Sequence, residues 1–339
     1  MSTMRAWAVQ TPGPIDARPL VLVERAIPIP GPGEVRLRVV ACGVCRTDLH
    51  LAEGDLAPHR ASTVPGHEIV GLVEELGEGT STLRVGDRVG AAWLARTCGS
   101  CRFCLAAQEN LCLHPTFTGW DIDGGYATYV VVHADYVYHL PEVFDDVAVA
   151  PLLCAGIIGF RALRRTELPK GGRLGIYGFG GSAHLTAQVA IAQGARVHVM
   201  TRSRESRELA TALGALSVGD ATDPPPEPLD GAILFAPVGE LVPTALAALD
   251  RGGVLAVAGI YLSDIPKLNY EQHLFQERTL RSVTANTRDD GLEFLELASK
   301  IDIQSTVHRY RFDDANRALS DLAHDRFSGA AVLVDFDVE

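Results

Sequence analysis

The first 150 residues of this 339-residue chain alternate short apolar runs with turn-forming residues. The stretches "GEVRLRVVACG" (33–43), "HEIVGLVEELGEG" (67–79), "VGDRVGAAW" (85–93) and "GGYATYVVVHADYVYHL" (124–140) carry β-branched residues bounded by Gly, Pro and Asp. That pattern predicts short strands in a barrel or sandwich. From about residue 155 the rhythm changes. "GGRLGIYGFGG" reads as a strand running into a glycine turn, "SAHLTAQVAIAQGA" as an Ala-rich helix ending at Gly194, and "RVHVMT" as a second strand. "RESRELATALGA" reads as a second helix, and "DGAILFAPVG", "GGVLAVAGI" and "LRSVTA" as further strands. Alternating strand and helix predicts a doubly wound parallel sheet, hence an α/β chain. The tail beyond residue 286 mixes a helix, "DDGLEFLELASKI", with closing strands that can return to the first domain.

Composition narrows the partners. With 47% hydrophobic and 21% charged residues the chain reads as globular, and a formal net charge of −12 argues against nucleic acid or an anionic membrane surface. Small molecules are the expected ligands. The start "MSTMRAWAVQ" lacks a charged segment followed by an apolar one. The longest apolar run, "VAVAPLLCAGIIGF", contains Pro151 and falls short of a bilayer of about 30 Å. A cytoplasmic location is expected, and seven cysteines, an odd number, then point to metal or catalysis before disulfides.

"CGSCRFCLAAQENLC" places Cys98, Cys101, Cys104 and Cys112 where four thiolates can close a tetrahedron around zinc with no position left for substrate. The last gap, seven residues, differs from that of a ferredoxin-type iron–sulfur run. A structural zinc is expected here. Cys42, Cys45 and Cys154 remain, and a catalytic zinc wants three protein ligands with a fourth position open. "VPGHEIVG" offers His67, with Glu68 beside it.

In "GFGGSAH", Gly178, Gly180 and Ala183, with Gly181 between them, fit G-x-G-x-x-G/A between a strand and a helix, a dinucleotide fingerprint whose pyrophosphate rests on the helix N-terminus. An NAD enzyme would place an acid at the end of the second strand to hold the ribose hydroxyls. Thr201 stands there instead, followed by Arg202, Ser203 and Arg204. These residues suit a 2′-phosphate, favouring NADP(H) over NAD(H), or else merely solvate a helix start.

The segments "CGVCRTDLH", "GHEIVGLVEELGEG", "VGDRVG", the four-cysteine lobe, "APLLCAGIIGFRAL" and "GFGGSAH", in this order, resemble the zinc-dependent alcohol dehydrogenases of the medium-chain dehydrogenase/reductase superfamily over essentially the whole chain. The resemblance implies a GroES-like β-barrel catalytic domain at 1–154, completed by 286–339, and a Rossmann domain at 155–285. It implies Cys45, His67 and Cys154 as catalytic zinc ligands, so two zinc ions per chain. Glu68 would either support the ligands from behind or serve as a transient fourth ligand, Asp48 would orient His67, and Thr47 and His50 would relay the substrate proton. Arg46 and Arg288 would reach the cofactor pyrophosphate, Ala330 standing where many relatives carry another base. Trp93 and Trp120 would line the substrate pocket and favour a primary alcohol/aldehyde pair. Cys42 would be a small buried thiol.

The resemblance further implies a homo-oligomer, dimer or tetramer. A zinc-free quinone reductase would lack these ligands, and no tyrosine has the lysine four residues on that a short-chain dehydrogenase needs. A catalytically silent NADP(H)-binding sensor or structural protein of the same fold is the remaining alternative.

Overall fold

The computed structural model describes residues 2–336. The chain divides into two compact units. One runs through Cys154 and takes in Ala285–Ser299 and the chain from Ser305 on; the other comprises Ala155–Thr284 and Lys300–Gln304.

The first unit is built on the strand Glu34–Val44, which pairs antiparallel with Ile69–Leu76, Tyr129–His133 and Ala330–Val334. Its side chains alternate between buried and partly buried as far as Val40, the period of a strand with one face on a core. From Ala41 to Val44 every residue is buried, because this end of the strand runs into the cysteine–histidine cluster described below. Arg88–Ala91 and Val137–His139 extend the sheet past Ile69–Leu76, and Val307–Arg311 closes the other edge in parallel with Ala330–Val334. Leu37, Ile69, Val89, Tyr126, Phe312 and Leu333 belong to its core. Three elements escape the strand pattern of the sequence. Thr3–Val9 and Leu20–Ala26 form a separate antiparallel pair, and Arg46–Glu53 is helical.

The second unit is a six-stranded parallel sheet in the order Ser217–Gly219, Arg196–Met200, Arg173–Tyr177, Leu229–Leu234, Leu249–Val257, Thr279–Ser282. The order reverses beside Arg173–Tyr177, the strand that carries the glycine turn. Ligands of doubly wound sheets bind at such a switch point. The strand expected to start at Gly252 begins three residues earlier, since Leu249 already pairs with Leu229 across a register shift. Ser217–Gly219 is an edge strand too short to leave a periodic signal. Among the described residues no single helix is long and apolar enough to cross a membrane.

Candidate active site

Asp48 organises the first unit's cluster. It sits at the third position of the helix Arg46–Glu53, whose N-cap is Cys45, and one carboxylate oxygen accepts the Cys45 backbone N–H at 2.9 Å. The other oxygen accepts the Gly66 N–H at 2.9 Å and stands 3.2 Å from His67 Nδ1. The Tyr126 hydroxyl donates to the first oxygen at 3.4 Å. A buried carboxylate at a helix N-terminus is favoured by the dipole, and here it also fixes the ring of a neighbouring histidine.

His67 is 1% exposed, and its Nε2 is buried without a hydrogen-bond partner. The ligand atoms of Cys45, His67, Glu68 and Cys154 all lie within 4.8 Å of one another. An orphaned buried nitrogen is costly unless something occupies its lone pair, and two thiols, an imidazole and a carboxylate are a donor set that zinc accepts. The residues therefore fit a catalytic-type zinc. The Cys154 thiol hydrogen-bonds the Cys45 sulfur and brings Cys45 well below the usual thiol range despite burial, while the same contact holds Cys154 well above it. Burial disfavours charge on His67, but the Asp48 carboxylate and the Cys45 sulfur together outweigh it and raise the imidazole well above its ordinary value. Each of these protons would leave when a divalent cation binds.

The packing around the cluster is tight. A Cβ on Gly43 would lie 1.6 Å from Glu68 Oε2, so the bare backbone makes room for that carboxylate. Cys42 fills space between two further glycines, its sulfur 2.9 and 2.8 Å from where the Cβ atoms of Gly66 and Gly125 would stand. It is not among the clustered ligands, and burial holds its thiol well above the usual range. Thr47 is buried with Oγ1 3.8 Å from Cys45 Sγ, and His50 Nδ1 lies 3.0 Å from Asp55 Oδ2 at the other end of the helix.

Aromatic rings lead away from the cluster. Trp93 meets His67 edge-on at 5.0 Å and stacks with Phe117 at 4.9 Å and Trp120 at 6.0 Å. His59 stacks on Trp120 at 4.0 Å. Trp93 and Trp120, expected as pocket residues, thus belong to one array with Phe117 and His59, which the sequence reading missed. It missed Tyr126 as well. All three lie in loops or at strand ends, with no spacing rule linking them to the ligands.

In the four-cysteine lobe the sulfurs of Cys98 and Cys104 are 3.9 Å apart, those of Cys101 and Cys104 3.5 Å, and those of Cys112 and Cys98 3.5 Å. Backbone N–H groups of Cys98 and His114 donate to the Cys112 sulfur, and that of Cys101 to the Cys98 sulfur, each at 3.3 Å. Backbone donors from Ser100 and Cys101 bring Cys98 down to about 6, whereas burial leaves Cys112 at about 11. All seven cysteines are unpaired, and these four converge as a four-thiolate metal site requires.

The second unit holds the glycine turn. Gly178 has φ +83°, and a Cβ there would meet Ala236 at 2.9 Å. Gly180 has no heavy atom within 4 Å of its missing Cβ, leaving an open approach to the N-terminus of the helix Gly181–Ala192, in which Ala183 is fully buried. A phosphate can approach such a backbone closely. Thr201 is buried at the end of Arg196–Met200, and Ser203 caps the next helix by accepting the Ser206 N–H. Arg202 is exposed, and Arg204 pairs with Glu208 at 2.8 Å on the surface. In the first unit, Arg46 pairs with Asp325 at 2.6 Å and the Arg288 backbone N–H donates to Glu109 at 2.9 Å.

Comparison with known proteins agrees with this chemistry. The alcohol dehydrogenase GroES-like domain matches residues 31–142, and the zinc-binding dehydrogenase domain matches residues 181–300. A Mycobacterium tuberculosis protein named "Probable alcohol dehydrogenase AdhA" is 58% identical over 338 residues, 98% of each chain. Solved structures with the same fold include CAD from Helicobacter pylori complexed with NADP(H), at TM-score 0.89, 25% identity and 98% coverage of both chains. Acetophenone reductase from Geotrichum candidum in complex with NAD has TM-score 0.90 and 26% identity over 100% of this chain and 99% of its own. With both domains matched and that identity sustained over the whole length, the chain belongs to the zinc-binding alcohol dehydrogenases of the medium-chain dehydrogenase/reductase superfamily.

Proposed function

We propose that the enzyme binds two zinc ions per chain and interconverts a primary alcohol and its aldehyde with NADP(H). The observation that carries this reading is the convergence of Cys45, His67, Glu68 and Cys154 around the partnerless Nε2 of a fully buried histidine. Cys98, Cys101, Cys104 and Cys112 hold the second ion. When bound, the metal would supply Lewis acidity toward the substrate oxygen, and the nicotinamide would accept hydride from the alcohol carbon or return it to the aldehyde carbon.

The chain's own residues orient and move protons. Asp48 fixes the His67 ring through Nδ1 and so presents Nε2 as the ligand atom. The Thr47 hydroxyl would take the proton of the substrate hydroxyl as it gives up its own toward His50, which, tethered to Asp55, exchanges a proton with solvent. Trp93, in edge contact with His67, restricts the groups beside the reacting carbon to small ones. The glycine turn from Gly178 to Ala183 cradles the pyrophosphate; Arg46, once released from Asp325, and Arg288 supply cationic charge for the cofactor. Exposed pairs of this kind are weak, about 0–1 kcal/mol, so a phosphate displaces the carboxylate readily.

The preference for NADP(H) rests on the missing acid at Thr201 and the cationic Arg202 and Arg204 after it. The Arg204–Glu208 pair is largely exposed and yields to a 2′-phosphate in the same way. Steady-state kinetics with NADPH and NADH test this, and a clear NADH preference overturns it. A homo-oligomer belongs to the same proposal: the edge strand Thr279–Ser282 pairs on one side only among the described residues, and Ile260, Ile265 and Phe275 are exposed apolar side chains of the same unit. Light scattering reads the state directly. We assign the enzyme to a reducing compartment, the cytoplasm, because six of its unpaired cysteines lie in the two clusters.

A further inference from the structure

We propose that the four-cysteine lobe is a positioning device for Arg288, acting through Glu109 and Tyr136. This rests on Arg288 as a contact for the cofactor pyrophosphate.

Glu109 opens the short 3-10 turn Glu109–Leu111 inside the lobe, between Cys104 and Cys112, and is 7% exposed. It is far from Arg288 in sequence. Yet its Oε1 accepts the Arg288 backbone N–H at 2.9 Å and lies 3.5 Å from the guanidinium Nε. That N–H is one of the unpaired donors of the first turn of the helix Arg288–Ile301, whose start is otherwise closed by Thr287 and Asp290, each accepting the other's backbone N–H. The lobe thus caps this helix with a buried carboxylate from another segment.

Tyr136 makes a second contact. Its ring lies 4.9 Å beneath the Arg288 guanidinium, and its hydroxyl accepts the Thr97 N–H at 3.0 Å and shares a 2.7 Å hydrogen bond with Thr97 Oγ1, one residue before Cys98. Arg288 therefore contacts two side chains tied to the lobe, one three residues before Cys112 and the other hydrogen-bonded to the residue before Cys98. A lobe with no fully buried apolar helix of its own would be a poor anchor unless its four sulfurs were held by metal, which is what their convergence provides. Glu109 holds the backbone and Tyr136 the stem and head of the arginine, while the guanidinium keeps free N–H groups for a phosphate.

The test measures NADPH and NADH dissociation constants by nicotinamide fluorescence on the zinc-loaded full chain, together with zinc content, cofactor KM and kcat. Arg288→Ala and Glu109→Ala should each weaken cofactor binding about tenfold, the effect falling on Kd and KM and not on kcat at saturation. Glu109→Gln keeps an acceptor oxygen for the N–H and should recover most of the loss. The double variant Glu109→Ala with Arg288→Ala should be no weaker than Arg288→Ala alone, since one removes what the other places. Additive losses, a Glu109→Ala variant that binds cofactor like the parent, or one that has lost lobe zinc overturn the positioning role. An Arg288→Ala variant that binds cofactor normally strikes earlier, at the reading of Arg288 itself, and takes this coupling with it.

Discussion

At the scale of the residue, the cluster turns on Asp48. One carboxylate ties the Cys45 backbone, the Gly66 backbone, the His67 ring and the Tyr126 hydroxyl into one arrangement. Asp48→Asn keeps oxygen and nitrogen in place but removes the charge that fixes the ring with Nε2 free. Zinc affinity at this cluster should fall about 10- to 100-fold, read by competition with a chromophoric chelator. An unchanged affinity would assign the orientation of His67 to packing alone. The motif holding Cys45, Thr47, Asp48 and His50 was legible in the sequence through its family resemblance, which is what implied that Asp48 orients His67. Tyr126 was not. Its partner is 78 residues away, and a buried tyrosine in a strand-rich segment reads as core. Phe117, His59 and Glu109 were missed for the same reason: their roles exist only in contacts between distant segments.

At the scale of the element, the helix Gly181–Ala192 combines two demands. Its N-terminus must stay open for phosphate, and its body must pack against the sheet, so Ala183, Leu185, Ala187, Val189 and Ala190 are buried. His184 lies in the same first turn, fully buried, and desolvation pushes its imidazole down to about 4. The folded chain therefore keeps His184 neutral, whereas the unfolded chain takes up a proton below about pH 6.5. Stability contributed by this difference is complete above pH 6.5 and is lost as pH falls toward 4, about 2 kcal/mol between pH 6.5 and pH 5. His184→Gln should abolish that part of the acid lability. Urea unfolding at pH 7 and pH 5 reads it, and a variant with the parent's pH dependence would mean another buried base dominates. Elements of this kind were legible because period and turn chemistry agree along them. The start of Leu249–Val257 and the strand Ser217–Gly219 were not, since pairing with neighbours decides both.

At the scale of the whole molecule, each of the two units buries a core of its own. Leu37, Ile69, Tyr126 and Phe312 belong to one, Tyr177, Leu234, Leu246 and Leu255 to the other. What the hydrophobic rhythm of the sequence does not carry is the short excursion Lys300–Gln304, which joins the second unit while its flanks belong to the first. Gln188 holds it there: its amide donates to the Gln304 carbonyl at 2.9 Å and its side-chain oxygen accepts the Gln304 N–H at 2.8 Å. The two units also differ in what stabilises them. Both cysteine clusters lie in the first, and the second contains no clustered metal ligands among the described residues. Stripping metal should then act on one unit alone. In the first, the segment from Cys98 to Cys112 has only a four-residue helix and a three-residue 3-10 turn, too little apolar burial to persist without its ion, and the partnerless His67 nitrogen becomes a standing cost. The second unit keeps its sheet and its core. Scanning calorimetry of the chelator-treated protein should therefore resolve two transitions, a lowered one from the first unit and one close to its zinc-loaded position from the second. Cofactor added after stripping should raise the upper transition, because the glycine turn is intact, and zinc should restore the lower. A single transition that moves down as a whole would show that the two cores unfold as one.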